Sequence, residues 1–132
     1  MAPPRSVVVA WLPAVLYMAA IFVLSSFPLH PPLVEEFPWR DKGLHALEYA
    51  VLGFLLAHAT MRTWETRPLW RVAAVAVVIA MGWGVLDELH QALVPGRVAD
   101  PFDAVADAVG AVAGVALRSG LRALRGVQRR GA

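Results

Sequence analysis

The chain has no cysteine in 132 residues. That excludes disulfides, zinc–thiolate sites and a cysteine nucleophile, and leaves the redox compartment open. Charge is scarce as well. Asp, Glu, Lys and Arg make up 17% of the residues, against about 25% in soluble domains. A nucleic-acid binder would show a basic stripe interleaved with aromatics on a soluble fold. Here the arginines flank apolar segments, so no nucleic-acid partner is expected. There is no internal repeat, no low-complexity block and no H-E-x-x-H or related signature, so neither a metal nor a cofactor is expected. What abounds is apolar: 58% of the residues, above the usual range of about 45–50%. The length allows one compact unit, 1–132.

Four apolar stretches stand out. The first, 7–27 (VVVAWLPAVLYMAAIFVLSSF), carries no charge and matches the roughly 20 residues needed to cross a bilayer core. Pro13 inside it is expected to kink a helix that lipid tolerates. The second, 44–61, contains His45, Glu48 and His58. The third, 69–89, runs into Asp87, Glu88, His90 and Gln91. The fourth, 102–121, holds Asp103 and Asp107 in its first two turns. Each is long, uninterrupted and rich in Ala, Val and Leu, so helices are expected. The fold class is therefore all-α, a polytopic membrane protein built as a four-transmembrane-helix bundle. The first span is longer than a usual signal-peptide core and no A-x-A-like site follows it, so it is expected to be retained. FPLHPPLVEEFPWRDKG (27–43) reads as an extended interfacial loop, MRTWETRPLW as a short connection with Trp64 and Trp70 as aromatic anchors, and VPGRVADP as a tight turn.

Charge asymmetry orients the bundle. With the amino terminus in the cytoplasm, Arg5, Arg62, Arg67, Arg71, Arg118, Arg122, Arg125, Arg129 and Arg130 lie inside. Only Arg40, Lys42 and Arg97 lie outside. This is the positive-inside distribution, so both termini and the basic tail 122–132 are expected to be cytoplasmic. Every acidic residue but Glu65 then falls toward the outer side.

That topology draws polar residues from four segments to one membrane face. His45 and Glu48 are three apart, as are Asp87 and His90; Asp87 and Gln91 are four apart, as are Asp103 and Asp107. Such pairs share a helix face. An ionisable group inside a membrane costs about 2.5–3.5 kcal/mol on insertion scales and is by default functional. Glu88, His90, His45, Glu48 and Asp87 are the candidate catalytic residues. Lys42, Gln91, Arg97, Asp103, Asp107 and Ser26 are the candidate ligand-binding residues, with Lys42 and Arg97 as counter-ions. Asp41 and Asp103 also suit the starts of helices. His58 reads as a satisfied core or interfacial histidine, and His30 as solvated. GAVAG (110–114), extended by Ala106, is a small-xxx-small pattern for close packing within the bundle; a homodimer is the weaker option.

DKGLHALEYAVLGFLL, DELHQALVPGR and DAVADAVGAVAG, in this order and spacing, resemble the VanZ-like membrane proteins. WLP…IFVLSSFP fits the same pattern, so the resemblance runs over roughly 8–118. The chain departs from that pattern at Asp107, where asparagine is expected. The resemblance implies the bacterial cytoplasmic membrane, a cell-envelope role and a link to teicoplanin resistance, with the peptidoglycan precursor target unaltered. The expected partners are membrane lipids, a lipid-linked envelope intermediate or a lipoglycopeptide.

Three functions compete. The first engages an amphiphile at the outer leaflet, with Arg97 and Lys42 meeting an anionic headgroup. The second is an intramembrane hydrolase or transferase on a lipid-linked substrate. Glu88 or Glu48 would be its base and His90 or His45 its acid, or a metal would sit among His45, His90 and carboxylates from Asp87, Glu48 or Asp103. The third is a proton-coupled transporter or accessory subunit, against which stands the one-sided placement of the polar residues.

Overall fold

The computed structural model describes residues 5–27, 38–97 and 99–130. Among these, four helices follow in order: α1 (Arg5–Ser25), α2 (Pro38–Thr63), α3 (Leu69–Gln91) and α4 (Pro101–Arg130). All four are long and apolar enough to cross a membrane. The loop read over 27–43 is shorter than expected. Pro38 opens α2, because a proline at the first helical position gives up a hydrogen bond the helix does not need there. Residues 28–37, with His30, lie outside the described residues. At the other end of the chain, α4 carries on through the basic tail to Arg130. Its 30 residues extend about 45 Å at 1.5 Å per residue, longer than a core of about 30 Å.

The helices alternate in direction, so the start of α2, the end of α3, the start of α4 and the end of α1 share one end of the bundle. The hydrogen bonds of that end establish this. The closest pair is α2 with α4. Gly110 and Gly114 lie against the backbone carbonyls of Ala46 and Ala50, and Gly53 lies against Ala111; a β-carbon at any of the three would collide with backbone. Small residues thus let two helix backbones touch, the main packing device available where lipid removes the hydrophobic drive. Across this pair lies α3, and among the described residues α1 packs on α2 and α3 but not on α4. Tyr49, Leu52, Leu56, Val72, Ala76, Ala80, Ala111 and Val115 fill the centre.

The outer surface is greasy. Val78, Leu86, Leu89, Val105, Val109 and Leu117 are all more than half exposed, a belt that water would not tolerate and acyl chains would cover. At the arginine-rich end the Trp11 indole N–H donates to Thr63 Oγ1 at 2.8 Å, fastening α1 to α2. Trp64 and Trp70 are exposed on the connection there, with Arg71 over the Trp70 ring at 5.1 Å. His58 accepts a hydrogen bond from Arg118 at 3.1 Å, the satisfied histidine its isolation predicts.

Candidate functional site: a polar cluster at one end of the bundle

The turn 92–97 carries the chain from α3 toward α4. Gly96 has φ 85°, a left-handed conformation that suits glycine. Asp100 then caps α4: its Oδ1 accepts the Phe102 N–H at 2.9 Å, just ahead of Pro101. Its Oδ2 accepts from Lys42 Nζ at 2.7 Å, and its own backbone N–H donates to Glu88 Oε2 at 3.1 Å. One residue therefore ties the starts of α2 and α4 to the end of α3. The Lys42 hydrogen bond, and after it the Phe102 N–H, hold the Asp100 carboxyl below the usual carboxylate range.

Two networks flank this node. On the α1 side, Asp87 is buried and accepts from both Ser25 Oγ (2.5 Å) and Gln91 Nε2 (2.8 Å). Beside it, Ser26 Oγ lies 2.7 Å from the Phe22 carbonyl and 2.9 Å from His90 Nε2, while the His90 ring stacks on Phe22 at 4.2 Å. A hydroxyl has one proton. In the Nε2–H tautomer of His90, Ser26 donates to the carbonyl and accepts from the ring; in the Nδ1–H tautomer it donates to the ring instead.

On the α4 side, Lys42 bridges Asp100 and Asp103, each at 2.7 Å. His45 Nδ1 meets Asp107 Oδ1 at 3.0 Å, with its Nε2 3.9 Å from Asp103. Gly84 on α3 makes room for this group, since a β-carbon there would sit 3.2 Å from Asp107 Oδ2 and from the Tyr49 ring. His45, Glu88 and Asp107 each offer a potential ligand atom within 4.8 Å of the others, and so do Asp41, His45 and Asp103. The second set is compromised, because the Lys42 ammonium already holds Asp103.

Of the residues the sequence singles out, Lys42, His45, Asp87, Glu88, His90, Gln91, Asp103, Asp107 and Ser26 all make polar contacts at this end. Glu48 is half-buried and makes no side-chain hydrogen bond among the described residues. Arg97 forms no ion pair among them, and its Nε is buried without a partner. His90 joins none of the metal-capable groups among the described residues, so His45 and His90 serve separate networks. Asp100 belongs to the expected outer turn, beside Arg97, but with no role of its own, although D-P at the head of an apolar run is a cap signal. One residue was not singled out. Tyr49 follows His45 by one helical turn on the same face and is buried, its hydroxyl without a partner among the described residues; a phenol deep in an apolar span was the signal.

The VanZ/LLP1 family model matches residues 11–122, which reach into all four helices and include every residue of the cluster. The chain belongs to the VanZ/LLP1 family. No curated protein and no solved structure matches it. For this VanZ/LLP1 chain the matched range covers the polar end, where α1 and α3 end and α2 and α4 begin, together with the arginine-rich end opposite it.

Proposed function

We propose that this is an integral membrane protein of the bacterial cell envelope that receives the headgroup of an amphiphile at the polar end of its bundle. That end faces the outer leaflet, and both termini lie in the cytoplasm. The amphiphile is a lipid, a lipid-linked cell-wall intermediate or a lipophilic glycopeptide of the teicoplanin type. One observation carries the reading. Within an otherwise well-paired cluster, Glu88 Oε1, Tyr49 Oη and Arg97 Nε are buried with no hydrogen-bond partner among the described residues. A buried polar atom left unpaired costs about 1–3 kcal/mol, so three at one end argue for polar groups that a ligand supplies. Arg97 is the cation for an anionic headgroup; Lys42 is spent on Asp100 and Asp103. The test is teicoplanin and vancomycin susceptibility in a Gram-positive host expressing wild type, Glu88→Gln, His90→Ala or Arg97→Ala at matched membrane levels. The reading expects wild type to shift teicoplanin alone and the variants to lose the shift. A shift that survives in all three variants would make the cluster structural.

A second reading, catalysis on a lipid-linked substrate, is favoured by the His45–Glu88–Asp107 grouping. One nitrogen and two carboxylates suit a first-row divalent ion such as zinc or manganese, and three protein ligands leave a position open for substrate. Glu88 is 9% exposed, and its unpaired oxygen suits either a ligand or a general base. Purified protein dialysed against zinc or manganese would retain about one equivalent and lose it in Glu88→Gln. Equal metal content in the two would sink the metal form of this reading.

A further inference from the structure

Opposite the polar cluster, where α2 ends and α4 projects past the bilayer core, lies a cavity of about 490 Å³. Its charged lining is Arg62, Arg118, Arg122 and Arg125 against a single acid, Glu65. Glu65 is already committed to Arg62 at 2.8 Å. The other three guanidiniums therefore share one space with no carboxylate among the described residues to balance them. They are positioned as well as crowded. Arg118 is anchored by its bond to His58, and Arg122 Nη2 donates to the Glu65 backbone carbonyl at 3.2 Å. That bond leaves Arg122 Nη1 buried beside the cavity with no partner among the described residues. Pre-aimed guanidinium forks match the paired oxygens of a phosphate.

We propose that this cavity binds the phosphate headgroup of an anionic phospholipid. Arg118, Arg122 and Arg125 recur at i, i+4 and i+7 and so form one stripe of α4. Leu117, Leu121 and Leu124 repeat the same spacing one position earlier, and all three are exposed. A phosphate seated among the arginines would therefore have an apolar strip beside it for its acyl chains. A free phosphate would make no use of that strip. Basic pockets at the ends of transmembrane helices bind acidic headgroups, each Arg near the surface contributing about 1 kcal/mol. Placement in the cytoplasmic leaflet rests on the orientation proposed above; the binding does not.

The test uses the full chain, purified and delipidated in a neutral detergent, with adducts counted by native mass spectrometry. Phosphatidylglycerol is compared with phosphatidylcholine, and inorganic phosphate serves as the non-lipid arm. Wild type should hold phosphatidylglycerol in preference to phosphatidylcholine. Arg118→Gln/Arg122→Gln should weaken that binding roughly thirtyfold, and Arg122→Lys, which keeps charge but loses the fork, should weaken it less. Arg67→Gln/Arg71→Gln removes the same charge outside the cavity and should leave it intact. Equal retention of the two lipids by wild type, or equal losses in the two double variants, would overturn the proposal. If inorganic phosphate displaced phosphatidylglycerol at matched concentration, the lipid assignment would fall in favour of a free phosphate.

Discussion

Asp87 shows how much the polar end depends on single atoms. It is buried, and both of its oxygens are taken, by Ser25 and by Gln91. Asp87→Ala removes both bonds and strands the buried Gln91 amide, at about 1–3 kcal/mol, while Ser25 can turn its proton to the Phe22 carbonyl 3.0 Å away. Ser25→Ala removes one bond and leaves Asp87 with Gln91. Thermal unfolding in detergent should fall clearly further for Asp87→Ala than for Ser25→Ala, and equal midpoints would refute the pairing. Asp100 adds a pH dependence of known sign. Its carboxyl is held low chiefly by the Lys42 hydrogen bond, so its folded value lies below its unfolded one. Its contribution to stability is then complete above about pH 5 and drains away as the pH falls through the folded value. Asp100→Asn should lower the midpoint at neutral pH and flatten the acid limb of a midpoint-against-pH curve; an unchanged acid limb would mean that Lys42 and Asp100 are not coupled.

At the scale of helices, the contact of α2 with α4 sets the register that brings His45 opposite Asp107 and Lys42 opposite Asp103. A β-carbon at Gly114 would strike the Ala50 carbonyl, while one at Gly120, on the same helix, would meet nothing within 4 Å. Gly114→Val should therefore lower the unfolding midpoint by the equivalent of about 1–3 kcal/mol. Gly120→Ala should hold or slightly raise it, because alanine favours a helix by about 0.8–1.0 kcal/mol over glycine. Similar effects from both substitutions would mean that the close approach is not needed. The helices themselves were legible, because apolar length leaves few alternatives in lipid. Their polar ends were less so. The start of α2 at Pro38 and the run of α4 to Arg130 lie in charged sequence, where hydropathy goes silent although the helix continues. Neighbours on one helix, such as Asp87 and Gln91, follow from spacing. Partners across helices, such as Ser26 with His90 rather than His45 with His90, depend on rotation and crossing angle, which no single-helix pattern encodes.

At the scale of the whole molecule, two ends of opposite character define one axis. Carboxylates, His45 and Lys42 gather where α1 ends and α2 begins; Arg62, Arg118, Arg122 and Arg125 gather where α2 ends and α4 projects. The shape alone is compatible with either direction across a membrane. The proposed direction rests on the arginines, since cytoplasmic segments retain Lys and Arg. The absence of cysteine makes that direction directly measurable. Leu93 lies in the turn after α3 at the polar end and is 82% exposed. Thr66 is exposed in the connection between α2 and α3 at the other end. In intact cells a membrane-impermeant maleimide should label Leu93→Cys and spare Thr66→Cys until the membrane is permeabilised. The reverse pattern would turn the polar cluster toward the cytoplasm, where an antibiotic arriving from outside could not reach it, and would remove the teicoplanin reading along with the orientation.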